Sequence, residues 1–469
     1  MKKPDRRKER TMKIRKMTAW LMAVLLTLSL FAGCAPQKEE LIPDTPDTEP
    51  IDETLPESET AGSETTDAAA ETPESESDET APTEETITAP ASVFPVGTPS
   101  AYDQTAGEFY TVSEKSGEYV SVEDDVTYLN VLDQTVFEIT GMTHPTENEG
   151  EFYRLDAADR PRFPDGNKIY AEDTTGGRVR FRTTASVIVI RADIRSIFGG
   201  MQMTTRGMYG FDVYVGSGSA KTYVGGQMQD MTGEPTMVTT VALPDNGGIP
   251  QEVTVNLPLY GGITKMEIGF KNAADTVALP TPYTYEKPVV FYGSSITQGG
   301  CVSRPGNAYC HVVTRALDAS CINLGFAGTA LGEATMAEYI GELELSAFVM
   351  DYDYNSSTAD TLRKTHQIFY KIVRKAHPDT PIIFLCHPYY GERTEEDEAR
   401  IAVIRSTYEK AVEKGDENVW FIDSETYFPE AMRDLYAVDN LHPNDLGHYA
   451  IAEALYPVLK EALEKNTAN

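Results

Sequence analysis

The sequence predicts two folded units of different class: a jelly-roll-like β-sandwich, then a three-layer α/β/α domain on a parallel sheet. Three observations predict this. From residue 94 to about 285, short alternating runs recur between Gly, Pro, Asn and Asp, with no long helical pattern, as in a sandwich. From residue 286 onward, short apolar runs alternate with longer amphipathic stretches, as in strand–helix repeats. The run Val289-Val290-Phe291-Tyr292 then stops at Gly293-Ser294-Ser295. A buried strand that passes into a small polar turn presents a hydroxyl at the carboxyl edge of a sheet, where α/β folds keep their sites.

Residues 1–33 read as an export signal. Lys2, Lys3, Arg6, Arg7, Lys8, Arg10, Lys13, Arg15 and Lys16 form its basic region, and Thr18 to Ala32 its apolar core. That core is shorter than the ~20 residues a spanning helix needs. Met12 is an alternative start, because Lys13, Arg15 and Lys16 alone would serve as a basic region. The core ends Leu30-Phe31-Ala32-Gly33-Cys34, which resembles a bacterial lipobox. The resemblance implies that Cys34 is diacylated and becomes the first residue of the mature chain. An ordinary secretory signal or an uncleaved anchor is the alternative.

Residues 34–93 are rich in Glu, Thr, Pro, Ser, Asp and Ala. Such a composition buries too little apolar surface to offset chain entropy, so a disordered acidic tether is expected. The whole chain carries a formal charge of −33, and the part after the tether remains acidic. An acidic fold repels phosphate backbones, which argues against nucleic acid as a partner.

In the sandwich region, 94–285, strands are expected over 118–122, 135–140, 178–183, 187–193, 211–215, 252–257 and 265–270. In the following domain, 286–469, helices are expected over 307–317, 362–376, 395–414 and 446–464. Strands are expected over 320–324, 347–350, 381–385 and 419–422. Cys301, Cys310, Cys321 and Cys386 could pair outside the cytoplasm. Neither a CxxC nor a Cys/His metal spacing is present.

A serine nucleophile needs a base, and the base needs an orienting group. Far downstream stands Asp439-Asn440-Leu441-His442-Pro443, with Asp439 and His442 close enough for one turn of chain to present both. Ser…Asp…His is one of the orders in which this chemistry recurs. Ser295 would attack, His442 would shuttle the proton and Asp439 would orient the ring. The backbone N–H of Ser295, at a helix start, would face the oxyanion. Ser294 is given a turn role.

Gly293-Ser294-Ser295-Ile296-Thr297 together with Asp439-x-x-His442-Pro443 resembles the SGNH (GDSL-type) hydrolases, in the branch with Ser where Asp is usual. Asn323-Leu324-Gly325-Phe326-Ala327-Gly328 is similar to the family's second block, which implies an oxyanion N–H at Gly328. Asp351-Tyr352-Asp353-Tyr354-Asn355 is similar to its Gly-x-Asn-Asp block, which implies a donor amide at Asn355. Asp353 then stands where glycine is usual, and it is expected to face away from the oxyanion. Tyr209-Gly210-Phe211-Asp212-Val213-Tyr214 resembles the Gly-x-Asp-Leu-Tyr motif of a sandwich that precedes some such domains. Asp212 itself is expected to be a turn residue, and His387 a polar loop histidine.

The resemblance implies hydrolysis of small acyl esters, with an acetylated carbohydrate as the substrate and no cofactor or metal required. Membrane contact would be through the lipid anchor only. Two rivals stay open: a lipase or thioesterase of the same fold, and a surface carbohydrate-binding protein that has lost activity. Oligomeric state is not legible.

Overall fold

The computed structural model describes residues 110–111, 119–121, 126–142, 152–196, 200, 202–226, 236–272, 274–428 and 430–467. The export signal, Cys34 and the acidic tether lie outside the described residues.

The first folded part is an antiparallel sandwich. One sheet runs in the order Tyr110–Thr111, Thr276–Ala278, Arg178–Thr183, Gln251–Asn256, Asp212–Val215, Thr222–Gly225, with Glu138–Thr140 also paired to Arg178–Thr183. The other runs Tyr119–Ser121, Thr127–Asn130, Gly261–Phe270, Val187–Ser196, Thr236–Ala242. Phe137, Phe181, Phe211, Val253, Val255, Ile188, Ile190 and Ile268 fill the space between the sheets. In Thr236–Ala242 the buried residues alternate strictly with exposed ones, as a half-buried strand requires.

All seven expected sandwich strands are present, Arg178–Thr183 with the expected bounds and the other six with different ends. Lys265–Phe270 extends back to Gly261 through an irregularity between Ile263 and Lys265. Five further strands among the described residues, Tyr110–Thr111, Thr127–Asn130, Thr222–Gly225, Thr236–Ala242 and Thr276–Ala278, escaped the periodicity. So did two short helices, Asp165–Tyr170 and Thr205–Tyr209. Asp212 corrects the reading as a turn residue: it opens a strand and is fully buried.

The second part is a five-stranded parallel sheet in the order Ala319–Gly325, Tyr285–Gly293, Ala347–Asp351, Ile382–Leu385, Val419–Ile422. Its side chains divide by parity. Val290, Tyr292, Phe348, Met350, Ile382 and Phe384 pack under helices Ala334–Glu342, Ala359–Ala376 and Glu395–Glu413. Val289, Phe291, Val349, Ile383 and Leu385 pack under Tyr309–Leu317 and Asp445–Thr467. A central strand covered on both faces must be apolar on both, which is why the strand before Ser295 reads as a continuous apolar run.

Helix Ala334–Glu342 was not expected. The helix expected from Asn307 begins at Tyr309, because Pro305–Asn307 forms a 3₁₀ turn. Thr358 and Thr394 start helices Ala359–Ala376 and Glu395–Glu413 with reciprocal side-chain caps. Cys301, Cys310, Cys321 and Cys386 are buried free thiols.

Candidate active site

The Gly293-Ser294-Ser295 turn sits at the carboxyl end of strand Tyr285–Gly293. Gly293 is required by close approach: a Cβ there would run into Thr297 Oγ1 and the Asp351 carbonyl. Ser294 caps the four-residue helix Ser295–Gln298, its hydroxyl accepting from Ile296 N at 3.2 Å. Ser295 is the first helical residue, so its N–H has no acceptor inside the helix.

Ser295 Oγ stands 3.0 Å from His442 Nε2. On the other side of the ring, His442 Nδ1 is 3.0 Å from Asp439 Oδ2. Asp439 Oδ1 also accepts from Leu441 N at 2.8 Å and His442 N at 2.6 Å. The Asp-x-x-His spacing is therefore a turn in which the carboxylate organises its own backbone and aims the ring. Burial alone would raise the Asp439 pKa, but the hydrogen bonds from the His442 ring, from His442 N–H and from Leu441 N–H hold it below the usual carboxylate range. A carboxylate only accepts, so Nδ1 carries the proton and Nε2 is left to accept from the serine hydroxyl.

Gly328 adopts φ +69, with open space where a side chain would point. Asn355 Nδ2 donates to the Phe326 carbonyl at 3.0 Å, two residues before Gly328. One amide hydrogen thus ties the two loops together, and the second remains for another acceptor. Asp353 does face away, into a bond of 2.6 Å with His387 Nδ1. His387 does lie in the loop that follows strand Ile382–Leu385, but it is buried there, 2 % exposed. Of the other histidines, His366 meets Thr407 Oγ1 at 2.9 Å and His377 meets the Ile340 carbonyl at 3.1 Å.

The sandwich takes part in this site, through residues that sequence reasoning missed. Tyr260 O–H donates to the Ser295 carbonyl at 3.1 Å, and Thr175 O–H to the Gln298 carbonyl at 2.7 Å. Gln298 Nε2 donates to Asp173 Oδ2 at 2.7 Å, while its Oε1 accepts from Ala327 N at 3.0 Å, next to Gly328. Because a carboxylate accepts only, Asp173 fixes which end of the Gln298 amide meets Ala327. Arg154, fully buried, donates to the Asn323 carbonyl at 3.0 Å and to the Gly325 carbonyl at 2.5 Å.

A second anchor lies beyond helix Ser295–Gln298. Asp212 Oδ2 accepts from Arg304 Nη1 and Gly306 N, each at 2.7 Å, and Asn256 Nδ2 donates to Asp212 Oδ1 at 2.7 Å. Arg304 Nη1 also donates to the Tyr214 hydroxyl oxygen at 2.6 Å. The only signal in the sequence was the Gly-x-Asp-x-Tyr pattern itself.

With this geometry in place, likeness to known proteins is informative. Residues 286–460 match the model of the GDSL-like lipase/acylhydrolase family. The second domain belongs to that family. Residues 126–276 match a model described as the N-terminus of SGNH-hydrolase-type esterases. A crystal structure from Bacteroides ovatus ATCC 8483, described as that of a GDSL-like lipase, is 26% identical with a TM-score of 0.63, and the match covers 72% of this chain and 98% of that one. A salicylyl-acyltransferase from a tetracycline biosynthetic pathway shares the fold at 19% identity and a TM-score of 0.60, over 73% of this chain and 98% of that one. No curated protein matches the sequence significantly.

Proposed function

We propose that this GDSL-family protein is an exported, lipid-anchored serine esterase that removes small acyl groups, acetyl first, from carbohydrate. The observation that carries the reaction type is the unbroken line Ser295 Oγ, His442 Nε2, His442 Nδ1, Asp439 Oδ2, with each link near 3.0 Å. The acyl group and the sugar alcohol rest on the family resemblance. The anchor rests on the Cys34 segment.

Ser295 Oγ attacks the ester carbonyl carbon as its proton passes to His442 Nε2. The imidazolium so formed is stabilised by Asp439. The carbonyl oxygen becomes an oxyanion that the N–H groups of Ser295 and Gly328 and the free amide hydrogen of Asn355 receive. The intermediate collapses to an acyl-serine as the C–O bond to the alcohol breaks, and His442 returns the proton to that alcohol. Water repeats the sequence, releasing the acid and restoring the Ser295 hydroxyl.

The test is hydrolysis of acetylated xylan, mannan and peptidoglycan fragments, beside an aryl ester series of increasing acyl length, each against a Ser295→Ala control. Acetate release from one glycan with a short-acyl preference is expected. A long-acyl preference would replace this reading with a lipase or thioesterase. Turnover equal to the control on every substrate would leave a binding protein.

A further inference from the structure

Asp353 stands where the family pattern has glycine, and the structure gives it a buried set of partners. His387 Nδ1 meets Asp353 Oδ2 at 2.6 Å, and the His387 backbone N–H donates to the same oxygen at 3.3 Å. The other ring nitrogen, Nε2, meets Asp397 Oδ1 at 3.2 Å. Asp397 Oδ2 accepts from Thr394 N at 2.8 Å and Thr394 Oγ1 at 2.7 Å, so that carboxylate is fixed by the helix cap. Tyr354 stacks on the His387 ring, with centroids 4.4 Å apart and an interplanar angle of 11°. From the same helix as Asp397, Arg400 donates to the carbonyls of Asp353 at 2.8 Å and Ser356 at 2.6 Å. These contacts bracket Asn355 on both sides.

We propose that Asp353, His387 and Asp397 form a positioning array that holds the turn bearing Asn355 so that its amide meets the oxyanion. The inference rests on the serine-esterase reading above. Both ring nitrogens face carboxylate oxygens, which only accept, so both must donate and the ring is an imidazolium. Removing it would leave Asp353, 1 % exposed, as an unpaired buried charge, and the turn would have to move to rehydrate it. Burial pushes the His387 pKa down, but the charge and hydrogen bond of Asp353 and then those of Asp397 outweigh this and raise it to about 9. In all, four groups bear on the ring from the elements packed around it. Asp353 and Tyr354 come from the 3₁₀ turn, Asp351 from the strand before it, and Asp397 from the facing helix.

The array acts through Asn355, so its loss and the loss of that amide should not multiply. The full chain, His387→Gln, Asn355→Ala and the double variant are assayed on an aryl acetate, with Ser295→Ala turnover subtracted. His387→Gln should lower kcat about 10- to 100-fold with KM within about threefold, as expected for an outer-shell orienting group. Asn355→Ala should cost about 10²- to 10³-fold, and the double variant should be scarcely worse. Unchanged kcat in His387→Gln, or losses that multiply, would overturn the proposal. Ring-nitrogen NMR of the full chain reads the array without any turnover. The His387 signal should remain that of an imidazolium at pH 8, and Asp397→Asn, which leaves Asp353 in place, should lower its midpoint. A neutral ring at pH 8, or an unmoved midpoint, would remove the array while leaving Ser295-dependent hydrolysis intact. Absence of any Ser295-dependent hydrolysis would instead remove the esterase reading on which the array's purpose rests.

Discussion

The hydroxyl of Tyr260, at the edge of the sandwich, donates to the carbonyl oxygen of Ser295 across 3.1 Å. The same carbonyl accepts from Gly300 N at 2.8 Å. The residue given the nucleophile's role is thus held on its backbone side by the other domain. With the contacts of Asp173, Thr175 and Arg154, this makes the sandwich a support for the turn and helix that carry Ser295.

Tyr260→Phe isolates that contact. It removes one buried hydroxyl while Gly300 N still satisfies the carbonyl. Stability should fall by about 1 kcal/mol, the usual net worth of one hydrogen bond. Thermal unfolding reads the first effect. Esterase kinetics read the second, in which kcat should fall with KM nearly constant. Equal kcat in both proteins would show that the contact does not position Ser295.

The Asp212 anchor should matter more for stability. Asp212→Ala leaves Arg304, Gly306 N and Asn256 without their common acceptor. A loss of about 3 kcal/mol is expected from breaking a mostly buried charged pair by removing one partner. Denaturant unfolding measures it, and a loss below about 1 kcal/mol would mean that the segment is held by other contacts.

Much of this arrangement could be read from local sequence, and what could not is long-range. The nucleophile block and the Asp439-x-x-His442 turn are contiguous segments whose residue types carry their chemistry. The parallel sheet announced itself because strands covered on both faces are apolar throughout. The contacts of Arg154 and Tyr260 join positions far apart in the chain, and no local spacing encodes them. Asp212 was misread because a short polar residue close after a glycine usually turns, whereas the Arg304 and Gly306 groups that donate to it lie some ninety positions later. The loop position of His387 was legible but its burial was not, because its carboxylate partners stand on two other elements. The sandwich strand Thr222–Gly225 is mostly exposed or half-buried, so it lacks the alternation that marks a strand.

The pH dependence of stability should carry an unusual sign at Asp351. Burial, then the neighbouring charge of Asp353, raises its pKa from 3.8 to about 7, against hydrogen bonds from Tyr309 and Thr297 that lower it. Between these values the folded protein holds more protons at this site than the unfolded chain does. Stability from this group therefore falls as pH rises from about 4 to about 7 and levels off above. Unfolding at pH 5 and pH 7.5 should show a shallower decline in Asp351→Asn than in the parent. An identical slope in the two proteins would contradict the assignment.

The anchor is tested separately from the fold. If Cys34 is acylated, the protein partitions into the detergent phase, and Cys34→Ser either stalls processing or releases the protein. Unchanged partitioning of that variant would remove the lipoprotein proposal and leave the esterase reading untouched.

The central claim is that Ser295, activated by His442, is the nucleophile, and the comparison of the two adjacent serines tests it most directly. Turnover of an aryl acetate is measured for the full chain, Ser294→Ala and Ser295→Ala, with circular dichroism confirming that each is folded. A serine hydroxyl without its partners is a weak nucleophile, and triad members act as a unit. Ser295→Ala should lose several orders of magnitude in kcat, as triad precedents indicate. Ser294→Ala removes only a cap and should keep most of the activity. Wild-type turnover in Ser295→Ala, or its abolition in Ser294→Ala, would contradict the account.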